Sequence, residues 1–186
     1  MATEIEIDNY FTNPLGYTRG LYAQTANSTP ITNTTTETTL IDGGVGSLFV
    51  PANGFKVGDS FSISMGGHIS CANNEDLQIK VKSGSVILGD TGIINMPQCT
   101  DKHWELEITF TIRALGTAGV ASIVSSGQLT YSKDASNIFE GADFSIINNT
   151  TFNTTITNTL DITAQWGAAT LTNIIYSESF VLTKTY

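Results

Sequence analysis

Phe61, Ile63 and Met65 alternate with Ser60, Ser62 and Ser64. The same period of two recurs at Leu77, Ile79 and Val81, set against Gln78, Lys80 and Lys82. It is strongest from residue 104. There Trp104, Leu106, Ile108, Phe110, Ile112 and Ala114 fall on one face, and Glu105, Glu107, Thr109, Thr111 and Arg113 on the other. A helix would smear this apolar set around its axis; a pleated strand keeps it on one side. Leu160, Ile162, Ala164 and Trp166 predict another one-sided strand. A last one runs from Ile174 to Tyr186, with Phe180 and Leu182 inward. Shorter strands are expected at 38–42, 46–50, 69–71, 86–88, 121–131 and 143–147. Gly66-Gly67 reads as an interruption of the bulge type. NNTTFNTTITNT, at 148–159, reads as a long loop.

Roughly eight to ten strands at a spacing of about ten residues, joined by Gly, Asn and Ser turns, predict an all-β antiparallel sandwich or barrel. The unequal connections favour Greek-key or jelly-roll wiring over a meander. The expected core contains Phe61, Ile63, Leu77, Ile79, Trp104, Leu106, Ile108, Phe110, Ile162 and Trp166.

Residues 1–35 read as an extended N-terminal arm preceding a single domain at 36–186. EIEI at 4–7 alternates, NPLG at 13–16 is a turn signal, and NSTPITNTTTETT at 27–39 is Thr-rich, without core-forming residues. Such a segment is expected to lie extended, either exposed or along a neighbouring surface. MATEIEIDNY is acidic and alternating, unlike a secretory signal peptide.

Composition narrows the function. The chain has 186 residues, of which 13% are charged, against about 25% in a typical soluble domain. Uncharged polar residues take their place: 28 Thr, 16 Ser and 14 Asn. A net charge of −9, with eight scattered Lys and Arg, argues against binding to nucleic acid or to an anionic membrane surface. No apolar run approaches the roughly 20 residues that a membrane-spanning helix needs.

The search for chemistry yields no site. His68 and His103 read as separate polar residues on strands, short of a zinc ligand set and without the HxH pair of a cupin. Glu105 and Glu107 share a wet strand face rather than opposing each other across a cleft, as a glycosidase pair would. Asp42, Asp59, Glu75, Asp76, Asp90 and Asp101 fall in predicted turns without calcium-loop spacing. No helix follows Gly43-Gly44-Val45-Gly46 to receive a phosphate. Cys71 and Cys99 read as buried free thiols, with a disulfide as the alternative. No catalytic, cofactor-binding or metal-binding residue is assigned, and no enzyme is expected. What stands out is the surface. Strand faces of Ser, Thr and Asn can pack against neighbours without burying unpaired ions, which suits a protein built into an assembly.

The stretch GSLFVPANGFKVGDSFSISMGGHISCANNEDLQIKVKSG, at 46–84, carries VPAN, KVGDSF, GGHIS and ANNEDLQIKVKSG. It resembles a recurring pattern in virion proteins of large double-stranded DNA viruses and tailed phages. WELEITFTIR at 104–113, GQLTY at 127–131, NTLDITAQWG at 158–167 and SESFVLTKTY at 177–186 are similar to its continuations. The resemblance implies a single jelly roll acting as a penton-type capsid vertex, spike or fibre subunit, located in the virion. It implies assembly as a trimer or pentamer and contact with neighbouring capsid proteins. It carries over no catalytic residue. The alternative is a trimeric tumour-necrosis-factor-like head that binds a host-surface receptor, or a carbohydrate-binding head. The latter would need an exposed aromatic platform, yet Trp104 and Trp166 both fall on predicted apolar faces.

Overall fold

The computed structural model describes residues 19–133 and 138–186. It is all-β, and every strand pairing described is antiparallel. The larger sheet is built on β6 (Ser60–Cys71), β10 (Cys99–Ala114) and β14 (Ile174–Lys184). It extends one way through β11 (Ser122–Ser132) to β12 (Phe139–Asn148), and the other way through β1 (Arg19–Gln24) to β4 (Gly44–Gly46). β2 (Ile31–Thr32) adds to β14, making eight strands. The smaller sheet runs β3 (Thr38–Thr39), β13 (Asn158–Trp166), β7 (Glu75–Ser83), β8 (Val86–Asp90). β5 (Phe49–Val50) pairs with β13 and β9 (Ile94–Met96) with β7.

The inner faces of the two sheets form one core in a sandwich-like arrangement. All ten residues expected in the core are buried, Ile63, Leu106 and Ile162 completely. β10 follows the predicted alternation: Trp104, Leu106, Ile108, Phe110 and Ile112 inward, Glu105, Glu107 and Thr109 in solvent. The sheets also join through polar atoms. Ser125 Oγ on β11 donates to the Leu88 carbonyl on β8, and Asn148 Nδ2 donates to the Ile87 carbonyl.

Three expectations need correction. First, residues 19–35 do not form an arm outside the domain; residues 1–18 lie outside the described region. Tyr22 and Ile31 are buried, and β1 pairs with both β14 and β4. The Thr-rich segment is laid along β13 of its own chain. There Trp166 Nε1 donates to the Ile31 carbonyl, Gln165 Nε2 to the Thr35 carbonyl and Thr163 Oγ1 to Glu37. Two well-placed apolar residues and a line of hydroxyl and amide partners suffice to seat it, so residues 19–35 are part of the domain rather than of an arm that precedes it. Second, Gly66-Gly67 does not interrupt β6. Its buried positions continue at odd numbers from Phe61 to Cys71. The irregularity lies in β14, where Ser177 and Ser179 oppose Gly67 and Gly66 and Glu178 is the extra residue. A Cβ on Gly67 would stand 2.0 Å from the Tyr176 carbonyl oxygen, so glycine here admits the neighbour's bulge. Third, residues 148–159 are not simply loop. Asn148 Oδ1 accepts from the amides of Thr150, Thr151 and Phe152. That turn drives the Phe152 ring into the core against Phe55.

Two outcomes are expected. Phe110→Ala should lower unfolding free energy by about 3–5 kcal/mol in urea titrations, because it empties a packed intersheet site. Glu37 is held by Lys82, Thr163 and Lys80, which lower its carboxyl pKa from 4.5 to about 2. A lowered folded-state pKa stabilises above pH 4.5 and loses that stabilisation as pH falls toward 2. The Glu37 side chain is 26% exposed, and solvent screening holds the contribution to about 1–2 kcal/mol. Glu37→Gln should therefore be less stable than wild type at neutral pH, with the gap closing near pH 2 in acid-unfolding curves.

Candidate functional site

β6 lies between β10 and β14, and each neighbour carries a bulge where it passes His68. In β10, Thr100 and Asp101 sit between the Cys99↔Cys71 and Lys102↔Ile69 pairs, so two residues oppose Ser70 alone. Asp101 takes φ +50°, a left-handed value that Asp tolerates better than most residues, and its amide donates to Ser70 Oγ at 2.9 Å. In β14 the extra residue is Glu178. Bulges re-aim side chains, and these two turn carboxylates onto one ring. His68 Nδ1 is 2.7 Å from Asp101 Oδ1, and His68 Nε2 is 3.4 Å from Glu178 Oε2.

The cross-strand partners of His68 complete the cluster. Tyr176 on β14 stacks on its ring, with centroids 5.9 Å apart and planes 17° apart. Partial burial, Glu178 and Asp101 raise the Tyr176 hydroxyl pKa. On β10 the His103 ring meets His68 edge-on at 6.2 Å, and its Nε2 lies 3.1 Å from Glu105 Oε1. His68 and His103 are thus neighbours rather than separate polar residues. The chain separates them by 35 positions, and only the register of β6 with β10 places them opposite each other. Both His68 nitrogens point at carboxylates. A neutral imidazole has one N–H and can donate to only one of them. The shorter contact, at Nδ1, is the hydrogen bond to Asp101, and Nε2 stands at charge-contact distance from Glu178. Among the described residues no group of three or more His, Cys, Asp and Glu side chains is arranged to hold a metal ion.

The other singled-out residues have local partners. Glu107 accepts from Ser64 Oγ at 2.6 Å. Asp42 caps a turn, accepting from the amides of Gly43 and Thr29, which lower its carboxyl pKa. Asp59 is buried and pairs with Lys184 at 2.6 Å. Gly44 and Gly46 allow β4 to close on β1, where a Cβ would strike Tyr22 or the Leu21 carbonyl. Trp104 and Trp166 are each 1% exposed and offer no aromatic platform. Trp104 Nε1 donates to the carbonyls of His68 and Tyr176, both at 3.2 Å.

A second candidate is an apolar cleft of about 70 Å³ at one end of the sandwich, lined by Leu48, Phe55, Phe61, Phe110, Phe152 and Leu160 among others. Its polar residues are turned to each other. Ser83 Oγ donates to Asn158 Oδ1 at 3.0 Å, and Asn158 Nδ2 donates to the carbonyls of Asn153 and Ile156. Ligand sites combine an apolar lining with a few convergent polar groups; the polar groups here are spent on holding the loop.

No family model matches the chain, and no curated protein matches its sequence.

Cys71 and Cys99 oppose each other across β6 and β10, both buried and not joined as a disulfide, with sulfurs 3.5 Å apart. The contact with the Cys99 sulfur and burial together push the Cys71 thiol pKa up, so Cys71 is not set up as a nucleophile. Iodoacetamide should label neither cysteine in the folded protein and both in denaturant. Rapid labelling of the native chain, read by mass spectrometry, would contradict this.

Proposed function

We propose that this chain is a structural subunit of a virus particle: a single jelly roll that joins copies of itself in a ring of three or five. It would sit at a penton-type vertex or in a spike or fibre, against neighbouring capsid proteins. The observation that carries the reading is the strand order. The run β1-β14-β6-β10 lies in one sheet and β3-β13-β7-β8 in the other. From β6 the chain passes to β7 and β8, returns to β10, and comes back through β13 to finish in β14 between β1 and β6. This order supports two interlocked Greek keys, the wiring of a jelly roll, with β11 and β12 as an added hairpin.

A fold does not by itself specify a function. The virion-like pattern at 46–84 and the low charge add what the wiring leaves open. The outer faces of β6, β10 and β14 carry Ser62, Ser64, Thr109 and Thr183, and several of these hydroxyls are already bonded across strands. These hydroxyls, unlike Glu105 and Glu107 on the same face of β10, can be covered by a neighbour without desolvating charge. The reading assigns no catalytic step and no cofactor. The receptor-binding or carbohydrate-binding alternative shares the wiring, but the buried indoles do not favour it.

Native mass spectrometry of the full chain is the test. The expected result is a discrete trimer or pentamer, or a multiple of one, held by interfaces burying roughly 1,200 Å² or more. A chain that stays monomeric at high concentration would overturn the reading, and glycan binding by such a monomer would favour the carbohydrate-binding alternative.

A further inference from the structure

The edges of the two sheets are treated very differently. β4 and β3 are only Gly44–Gly46 and Thr38–Thr39, and β8 is broken by a register shift beside Val81. β12 is long and regular. From Phe139 to Asn148 it pairs with β11 without a shift, and among the described residues nothing pairs with its outer side. Sheet proteins blunt such edges with charges (Lys above all), Pro or bulges; FEGADFSIIN has no Lys, Pro or bulge, and one inward-facing charge, Glu140. Its charges are Glu140, engaged by Lys133 and Tyr131, and Asp143. Phe139 and Ile147 are 73% and 57% exposed. Ala142, Phe144 and Ile146 face inward but are only half-buried; the Phe144 ring rests on Gly89 of β8.

We propose that β12 is the site at which two copies of this chain associate, edge to edge and antiparallel, across a two-fold axis. The sequence of β12 selects both the occupant and the register. An axis perpendicular to the sheets keeps the two inner faces on one side, so inner residues must oppose inner residues. The longest overlaps obeying this rule are centred on Asp143 or on Phe144. Centring on Asp143 sets that carboxylate against its own copy, a like-charge pair. Centring on Phe144 sets Phe144 against Phe144, Ala142 against Ile146, Glu140 against Asn148, Asp143 against Ser145 and Gly141 against Ile147. No like charges stand directly opposite each other, the two Asp143 being only diagonal neighbours, and the half-open inner residues cover one another. The EIEI run at 4–7 is a poorer occupant. With its isoleucines inward, Glu4 and Glu6 would join the face that carries Asp143.

The contact stands independently of the virion reading, and charge substitutions on the exposed outer face test it. Mass is measured for the full chain by native mass spectrometry and by sedimentation across a wide concentration range. Circular dichroism and Tm serve as controls for folding. Wild type should associate in pairs, as a dimer or as paired rings. Ser145→Asp places a second carboxylate opposite Asp143 twice per interface and should weaken the pair roughly tenfold, halving the assembly mass. Adding Asp143→Lys to Ser145→Asp should restore it, because the introduced ammonium then faces the introduced carboxylate. Removing residues 1–18 should leave the pair intact. A monomer, or a trimer or pentamer indifferent to Ser145→Asp, overturns the proposal; the latter leaves the ring reading standing. Loss of the pair without residues 1–18 assigns the edge to the N-terminal segment instead. Failure of Asp143→Lys to rescue means the register is wrong.

Discussion

The inner face of β6, β10 and β14 is the constraint on which the rest of the molecule depends. Phe61, Ile63, Met65, Trp104, Leu106, Ile108, Phe110, Phe180 and Leu182 all point into it and are buried. With a period of two, slipping any of these strands by one residue would turn its whole apolar set outward. Their register is therefore held by many side chains at once, and the second sheet must lie where it covers them. Gly67 shows how tight the fit is. Its missing side chain leaves room for the Tyr176 carbonyl, and the same carbonyl accepts from the Trp104 indole.

Once the register is held, extra residues can be accommodated only as bulges. The two bulges flank His68, one opposite Ser70 and the other beside Gly66 and Gly67, and each turns a carboxylate toward it. Asp101 and Glu178 are far apart in sequence, as are His68 and His103. The polar cluster is thus a consequence of how the central strands are pinned. It stands on an outer strand face.

The two sheets are of unequal width. β11 and β12 carry the larger sheet outward, and β8 meets β12 through the Gly89–Phe144 contact. Among the described residues, three of the four edges are short or irregular, so the long regular edge of β12 is the exception. On the reading of the chain as an assembly subunit, the low-charge faces and this open edge fit together. Hydroxyls that bond to each other across strands can be covered by a neighbour without stranding ions, and a free strand edge gives a directional contact.

Much of the fold is legible in the sequence, because strand pleating converts spacing directly into facing. The alternation from Trp104 to Ala114 predicts its own buried face, and the ten expected core residues are all inside. What alternation cannot carry is anything decided by a partner distant in the chain. The segment at 19–35 reads as an arm because few of its residues are apolar. It belongs to the fold because β13 and β14 supply hydrogen-bond partners more than a hundred residues away. Gly66-Gly67 reads as a break in its own strand, yet it makes room for a bulge in another. Phe152 hides in an Asn/Thr run because the turn that seats it depends on Asn148 capping rather than on a periodic pattern. Which faces of the long strands are buried is written in the order of residues alone, since facing is a local property of the pleat. Which strands meet, where the bulges fall and which edge stays open are settled only by packing, because they follow from registers between residues that the chain keeps far apart.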